Sequence, residues 1–311
     1  RLQKLGWTYH APDLLDFERG SYHEVILAKR VGAALRKLNP WLSDENVQKA
    51  VRAVTHVQAT SLVEANEKLH TVLTYGISLE QDRGDGRRNH SVRFIDFDRP
   101  WENDLVVTRQ FKVKGSKKHV IADVVLLVNG IPLVVIEAKS PTLGEKWLVE
   151  AVDQLHRYQE VGSGFKGMGA PRLFETAQIL VATCLEQARY GTILTPQRYY
   201  FDWKIPYPLT PDELKAQIGK PPNPQELLLQ GILTPENLLD IVRNFVIFER
   251  DPKTGKTVKK LCRYQQFTAV NKAIDRARTA KKPSERGGVV WHTQGSGKSL
   301  TMLWLALKVR R

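Results

Sequence analysis

Two carboxylates and a lysine occupy adjacent, strongly apolar segments of the chain. Asp123 lies within the apolar run at 120–128, and Glu137 and Lys139 close the run that begins at Ile131. Nearly unbroken apolar runs indicate strands that are buried on both faces. An ionised carboxylate in such a strand costs several kcal/mol unless it has a partner. A divalent cation would be a partner for both carboxylates.

The spacing of these residues suits the hydrolysis of a phosphodiester. Glu137 and Lys139 are two residues apart, so on a strand they project from the same face, while Ala138 projects from the other. Asp123 and Glu137 would hold Mg²⁺, which would polarise a phosphodiester oxygen, and Lys139 would orient the nucleophile or screen developing charge. The alternative is that Glu137 and Lys139 form only a local ion pair.

The turn between the two strands decides whether the carboxylates can share an ion. Asn129-Gly130 favours a two-residue hairpin turn, which in a regular ladder pairs Asp123 with Ile136 and sends the two carboxylates to opposite faces. A shared ion requires Asp123 opposite Glu137. We therefore predict a three-residue turn or a β-bulge, with Asp123, Glu137 and Lys139 on one face.

A second set of chemical residues lies near residue 300, between a predicted strand at 288–292 and a helix-like apolar run. It reads His292-Thr293-Gln294-Gly295-Ser296-Gly297-Lys298-Ser299. Its glycines would let backbone N–H groups surround the phosphates of ATP, Lys298 would reach the β- and γ-phosphates, and Ser299 would ligate Mg²⁺. The strict pattern has glycine in place of His292, a departure that superfamily 2 helicases tolerate. The residues expected to bind nucleotide are Thr293, Gly295, Ser296, Gly297, Lys298 and Ser299.

A glutamine pair upstream of this loop resembles the Q motif of helicases, whose glutamine contacts adenine. The segment is Arg263-Tyr264-Gln265-Gln266, and Gln266 is the better match because Ala269 follows three residues later. The alternatives are an exposed glutamine pair at the start of a helix and, for the glycine-rich loop, a helix start that binds no ligand.

The predicted elements alternate between helices and strands. Apolar residues at helical spacing predict helices at 21–39, 44–75, 145–161, 225–230, 235–247 and 264–280. β-Branched and aromatic runs predict strands at 92–98, 104–113, 119–128, 131–139, 177–183 and 288–292. A polar stretch at 82–89 is predicted to be a loop, and six prolines within 206–224 predict a linker that continues neither sheet nor helix.

Composition limits the class of protein. The 311 residues suffice for about two domains, and 47 Lys and Arg against 33 Asp and Glu give a net charge of +14. This charge favours a phosphate-rich partner such as nucleic acid. No apolar run approaches the roughly 20 residues of a membrane span, and the two cysteines lack metal spacing. We expect a soluble cytoplasmic protein, in which the basic clusters at 83–93 and 112–119 are either solvated faces or phosphate contacts.

Five residues, taken in order, resemble the PD-(D/E)xK core of RecB-like nucleases. They are Asp123, Glu137, Lys139 and, downstream, Gln154 and Tyr158. Gln154 and Tyr158 are four residues apart and so face the same way on a helix. The resemblance implies that they place Lys139 or the DNA backbone near the site. The alternative is an ordinary solvated helix face.

The order of the parts extends the resemblance over essentially the whole chain. Helices with Leu38-Asn39-Pro40 precede the nuclease-like core, and Trp203, the proline-rich stretch and the segment 291–302 follow it. This order closely resembles the restriction (R) subunit of Type I restriction-modification enzymes. It implies an α/β fold with a PD-(D/E)xK endonuclease domain at 1–205, a linker at 206–224, and the beginning of a RecA-like superfamily 2 helicase domain at 225–311.

The resemblance also implies a function and partners. It implies Mg²⁺-dependent cleavage of unmodified double-stranded DNA, coupled to ATP-driven translocation, in a bacterial or archaeal cytoplasm. Methyltransferase and specificity subunits would complete the complex, and we expect the chain to be the N-terminal part of a longer protein. Two alternatives stay open: a helicase–nuclease of DNA repair, and a non-catalytic module that binds nucleotide during assembly.

Overall fold

The structure is a computed structural model that describes residues 1–84 and 86–310. Asp85, in the predicted loop at 82–89, and Arg311, in the predicted domain at 225–311, lie outside the described residues. The helices are α1 (Pro12–Arg19), α2 (Ala28–Leu38), α3 (Asp44–Thr55), α4 (Leu62–Tyr75), α5 (Trp147–Tyr158), α6 (Arg172–Thr176), α7 (Pro211–Ile218), α8 (Pro224–Leu233), α9 (Pro235–Asn244), α10 (Tyr264–Thr279) and α11 (Lys298–Arg310). The strands are β1 (Thr8–Tyr9), β2 (Ile77–Asp82), β3 (Arg87–Val92), β4 (Leu105–Lys114), β5 (His119–Val128), β6 (Ile131–Ala138), β7 (Ile179–Cys184), β8 (Gln187–Gly191), β9 (Val246–Arg250) and β10 (Thr257–Leu261).

A mixed sheet positions the carboxylates. Its strand order is β1-β4-β5-β6-β7-β8, and β6 and β7 are parallel neighbours while β4, β5 and β6 are antiparallel. The chain between β6 and β7 includes α5, which contacts both strands. Residues 125–128 and 131–136 are buried, which explains why β5 and β6 are almost continuously apolar. The strands predicted at 104–113, 119–128, 131–139 and 177–183 are confirmed.

The helices before the sheet differ in extent from the prediction. The predicted helix at 44–75 is two helices, α3 and α4, and the predicted helix at 21–39 begins only at Ala28. Ser61 explains the break, because its side chain accepts a hydrogen bond from the backbone N–H of Glu64 and caps α4. Ser43 caps α3 in the same way. No described helix is long and apolar enough to cross a membrane.

The loop predicted at 82–89 is confirmed only at 83, 84 and 86, which lie between two strands, and the strand predicted at 92–98 is wrong. Strands β2 and β3 form an antiparallel hairpin that ends at Val92. The hairpin was missed because its strands carry mainly polar residues on a largely exposed ribbon. After Val92, residues 93–98 lie outside the described strands, and side-chain contacts hold the backbone instead. Asn39 accepts a hydrogen bond from the backbone N–H of Arg93 at 2.9 Å, and Phe94 and Ile95 enter the core without pairing.

The proline-rich stretch at 206–224 was expected to continue neither sheet nor helix, and this was wrong. Pro211 and Pro224 are the first residues of α7 and α8, where proline is favoured because its missing N–H needs no partner. Beyond the stretch, α8 contacts strand β8 of the sheet. Trp7 Nε1 donates to the Leu233 carbonyl at 2.7 Å. The domain boundary at 206–224 stays a prediction, because buried residues on both sides of it belong to one apolar cluster.

A fully buried lysine anchors a second hairpin that the sequence did not predict, β9–β10. Lys259 Nζ donates to Asn66 Oδ1 and to Gln178 Oε1, each at 2.7 Å. Burial lowers the pKa of Lys259 well below its usual range. Residues 251–256 form the turn of this hairpin. The hairpin therefore links the chain after the prolines to α4 and to the residue before β7.

Candidate functional site

The β5–β6 hairpin contains both a two-residue turn and a β-bulge. Asn129 and Gly130 have φ angles of 53° and 81°, the left-handed values that a type I′ turn requires. The register shifts between Leu126 and Leu127, where Leu133 is the additional residue on β6. A single extra residue reverses the parity of every side chain beyond it.

The bulge brings the two carboxylates to one face. Val124 pairs with Ile136, which sets Asp123 opposite Glu137. The backbone N–H of Ala138 donates to Asp123 Oδ2 at 2.9 Å. The prediction of a bulge with Asp123 and Glu137 on one face is confirmed, and the turn expected from Asn-Gly is present as well.

A chain of hydrogen bonds joins the lysine to the two residues predicted on the helix. Lys139 Nζ donates to Glu137 Oε1 at 2.9 Å and to Gln154 Oε1 at 2.5 Å. Gln154 Nε2 donates to the Tyr158 hydroxyl at 2.7 Å, which in turn donates to the Ile121 carbonyl at 3.1 Å. The ion pair between Glu137 and Lys139 exists, but it is one link of a network held by α5 and β5.

Burial disfavours the ionised form of Glu137. The side chain is 1% exposed, and burial raises its pKa to about 7, although the hydrogen bond from Lys139 acts in the opposite direction. The charge of Asp123 raises the pKa further. Among the described residues, no hydrogen-bond partner is found for Glu137 Oε2. This oxygen needs a proton or a cation. Burial and the charge of Glu137 also raise the pKa of Tyr158.

Gln110 is a member of the site that the sequence did not reveal. Its Nε2 donates to Asp123 Oδ1 at 3.2 Å, so both oxygens of Asp123 are held by the protein. Gln110 lies within β4 with a φ of 52°, a left-handed conformation that is rare for a residue with a side chain. A glutamine in an otherwise regular strand gives no sequence signal for this conformation.

The two carboxylates are a donor set that fits Mg²⁺. Within 1–84 and 86–310, no group of three or more His, Cys, Asp or Glu side chains could hold a metal ion. Mg²⁺ is commonly bound by one or two carboxylates and completes its shell with water and substrate phosphate. Asp123 and the unpartnered Oε2 of Glu137 supply such a pair, and Asp123 is partly open to solvent.

The glycine-rich loop is held by the predicted glutamine. Gly295 and Gly297 have left-handed φ angles of 76° and 85°, and α11 begins at Lys298. Gln266 Nε2 donates to the carbonyls of Gly297 and Ser296 at 3.1 and 3.3 Å. A Cβ at position 297 would lie 2.4 Å from Gln266 Nε2, so another residue there would displace the Gln266 amide as well as strain the backbone.

The side chains of the loop are partly engaged with one another. Lys298 Nζ donates to the His292 carbonyl at 3.1 Å, and Ser296 Oγ donates to the Thr293 carbonyl at 2.7 Å. Lys298 and Ser299 are exposed. Gln266 Oε1 accepts from the backbone N–H of Arg263 at 2.7 Å, so both ends of its amide are bound within the protein. Its contact with adenine stays a prediction.

The strand predicted at 288–292 is wrong. Residues 287–293 form no helix or strand, and Val289 and Trp291 are 88% and 89% exposed. Among the described residues, no strand pairs with this segment, and an extended segment without a neighbour gains no ladder hydrogen bonds. A cavity of about 680 Å³ lies beside the loop, lined by residues of β8, the 192–201 segment, β10, Arg263 and Gln266.

Comparison with known proteins identifies the family. Residues 1–199 match the model for the Type I restriction enzyme R protein N terminus, and residues 265–311 match that for the SWI2/SNF2 ATPase. The chain belongs to the family of the Type I restriction enzyme R protein N terminus.

The relatives of this chain are longer proteins. It is 34% identical to the Type I restriction enzyme HindI endonuclease subunit of Haemophilus influenzae, over 99% of this chain and 29% of that protein. It is 29% identical to the putative Type I restriction enzyme MjaIXP endonuclease subunit of Methanocaldococcus jannaschii, over 99% of this chain and 30% of that protein. The chain thus spans about a third or less of these relatives.

Proposed function

We propose that this chain carries the DNA-cleaving site of a Type I restriction endonuclease subunit, together with the beginning of its ATP-dependent translocase. The observation that carries the proposal is the buried, unpartnered Oε2 of Glu137, which lies on one face with Asp123 and Lys139. A structural ion pair between Glu137 and Lys139 would not need a second carboxylate on the same face.

The residues of the site would divide the work of phosphodiester hydrolysis. Asp123 and Glu137 would hold Mg²⁺, which when bound would polarise a phosphodiester oxygen. Gln154 and Tyr158 hold the Lys139 ammonium group in place, where it would orient the nucleophile and screen charge that develops on the phosphate. Gln110 and the Ala138 amide fix both oxygens of Asp123, so little reorganisation is needed when substrate binds.

The glycine-rich loop would bind ATP. The match of residues 265–311 to the SWI2/SNF2 ATPase supports this. The left-handed φ angles of Gly295 and Gly297 and the exposure of Lys298 and Ser299 also support it. The contacts to ATP would come from Thr293, Gly295, Ser296, Gly297, Lys298 and Ser299. Gln266 holds the loop and would contact adenine. Double-stranded DNA and the methyltransferase and specificity subunits are the proposed partners, in a bacterial or archaeal cytoplasm.

Separation of the two activities tests this proposal. In the full-length subunit assembled with its partners, Glu137→Ala or Lys139→Ala should abolish double-strand cleavage and leave DNA-stimulated ATP hydrolysis nearly intact. Lys298→Ala should abolish ATP hydrolysis and therefore cleavage. Glu145→Gln, at an exposed position between β6 and α5, is the matched control and should change neither. Normal cleavage by a folded Glu137→Ala variant would overturn the assignment of the site.

A further inference from the structure

Basic residues continue along the sheet from the two carboxylates. Lys112 pairs with Ile121, and Lys114 pairs with His119. Cross-strand partners share a face, and alternate residues of a strand share a face. Ile121 and His119 are two and four residues from Asp123, so Lys112, Lys114 and His119 lie on the face that carries the carboxylates. We call these three residues the basic row.

The basic row has the dimensions of a short stretch of DNA backbone. Two residues of an antiparallel strand rise about 6.8 Å, which puts Lys112 about 7 Å and Lys114 about 14 Å along the sheet from the level of Asp123. One DNA strand rises about 3.4 Å per nucleotide along its axis. The row therefore spans about two to four nucleotides on one side of a phosphodiester that is held at Asp123 and Glu137.

The lysines of this row are free to bind an external anion. Within the described part of the chain, no carboxylate forms an ion pair with Lys112 or Lys114. Lys114 and His119 are exposed, and the ammonium group of Lys112 lies 4.8 Å from the ring centre of Tyr22. By contrast, Arg30 elsewhere in the same fold is bound to two carboxylates. Unpaired cations that are aligned with the site provide the positive charge that a phosphate backbone needs.

We propose that the basic row binds backbone phosphates of the DNA next to the bond that is cut. This inference rests on the proposed function, because it takes the two carboxylates to face a phosphodiester. Lysine ammonium groups are point charges that bind phosphate without distinguishing bases. The row would therefore hold the duplex at the site independently of its sequence.

The salt dependence of DNA binding tests the row directly. The full-length subunit would be titrated onto a short duplex in EDTA over a range of salt concentrations. Each lost phosphate contact reduces the slope of log K against log salt by about 0.9, so Lys112→Gln/Lys114→Gln should reduce it by about 1.8. Lys114→Gln alone should reduce it by about 0.9, and Lys112→Arg/Lys114→Arg should restore the slope because it restores the charge.

Arg109 provides the matched control. It lies on the same strand and is exposed, but it pairs with Val124 and so projects from the opposite face. Arg109→Gln removes the same charge and should leave the slope unchanged. Equal slopes for wild type and Lys112→Gln/Lys114→Gln would overturn the inference, as would an equal reduction by Arg109→Gln.

A cleavage assay separates this inference from the proposed function. In the assembled enzyme, Lys112→Gln/Lys114→Gln should slow cleavage severalfold at unchanged DNA-stimulated ATP hydrolysis. If Glu137→Ala abolishes cleavage while the lysine variant cleaves at the wild-type rate, the basic row is wrong and the site stands. If Glu137→Ala cleaves normally, the site itself is wrong, and the basic row loses the basis on which it was proposed.

Discussion

In the absence of metal, the stability of this protein should depend on pH through Glu137. The folded chain raises the pKa of Glu137 from 4.5 to about 7, so it binds the proton more tightly than the unfolded chain does. Protonated Glu137 therefore favours folding below about pH 4.5, and this contribution is lost as the pH rises from about 4.5 to about 7. At about 1.4 kcal/mol for each pH unit, the loss is about 3 kcal/mol.

Urea denaturation in EDTA would measure this contribution. Glutamine at position 137 has no charge at any pH, so the difference in unfolding free energy between wild type and Glu137→Gln isolates the titration of Glu137. Relative to Glu137→Gln, wild type should lose about 3 kcal/mol of unfolding free energy between about pH 4.5 and pH 7.5. Added Mg²⁺ should recover stability above pH 7 in wild type, because it favours the ionised carboxylate, and should recover much less in the variant.

Two results would refute this reasoning. Parallel pH profiles for wild type and Glu137→Gln would mean that the buried carboxylate ionises at no cost, against the burial argument. An equal change in Glu145→Gln, whose carboxylate is exposed, would mean that the effect is not specific to the site.

Three further substitutions test contacts that hold the fold and the loop. Gly231→Ala would place a Cβ 2.0 Å from Trp203 Nε1 and should cost about 2–3 kcal/mol of unfolding free energy. Asn66→Leu removes three hydrogen bonds to backbone carbonyls, two of them buried, and one acceptor of Lys259; denaturation should show a loss of at least about 3 kcal/mol. Gln266→Ala removes the hydrogen bonds to the Ser296 and Gly297 carbonyls of the glycine-rich loop. Backbone amide hydrogen exchange of residues 293–300 should therefore accelerate.

Each of these substitutions has a neutral counterpart. Gly164→Ala meets no atom within 4 Å and should leave stability unchanged. Asn89→Leu changes an exposed residue, and Gln265→Ala leaves the loop contacts of Gln266 in place. Equal effects within any pair would contradict the contact on which that prediction depends.

The chemistry of the site was predictable because it constrained the backbone. Two carboxylates in apolar strands suggested a shared partner, a shared partner required one face, and one face required a bulge in spite of the Asn129-Gly130 turn. The four-residue spacing of Gln154 and Tyr158 likewise predicted side chains on one side of a helix, and both now contact the Lys139 network.

Features that depend on distant partners were not predictable. Nothing local in Gln110 indicates a left-handed strand residue, because the acceptor of its side-chain hydrogen bond, Asp123, lies on the next strand. In the hairpins β2–β3 and β9–β10, strands β3 and β10 are largely polar, and the apolar parts of β2 and β9 are too short to identify a strand. Residues 92–98 have the composition of a strand, yet Phe94 and Ile95 are buried without strand partners. The strand prediction at 288–292 was wrong because no described strand pairs with this apolar run, which is largely exposed.

The anchoring of β9–β10 by Lys259 determines where this polypeptide can be divided. A protein shortened to the predicted boundary at residue 205 would retain Asn66 and Gln178 but lose the ammonium group that their oxygens accept from. It would also lose the Leu233 carbonyl that Trp7 donates to. An autonomous N-terminal unit should therefore be expressed through the end of β10, and fusion or insertion points belong in exposed turns such as 252–255.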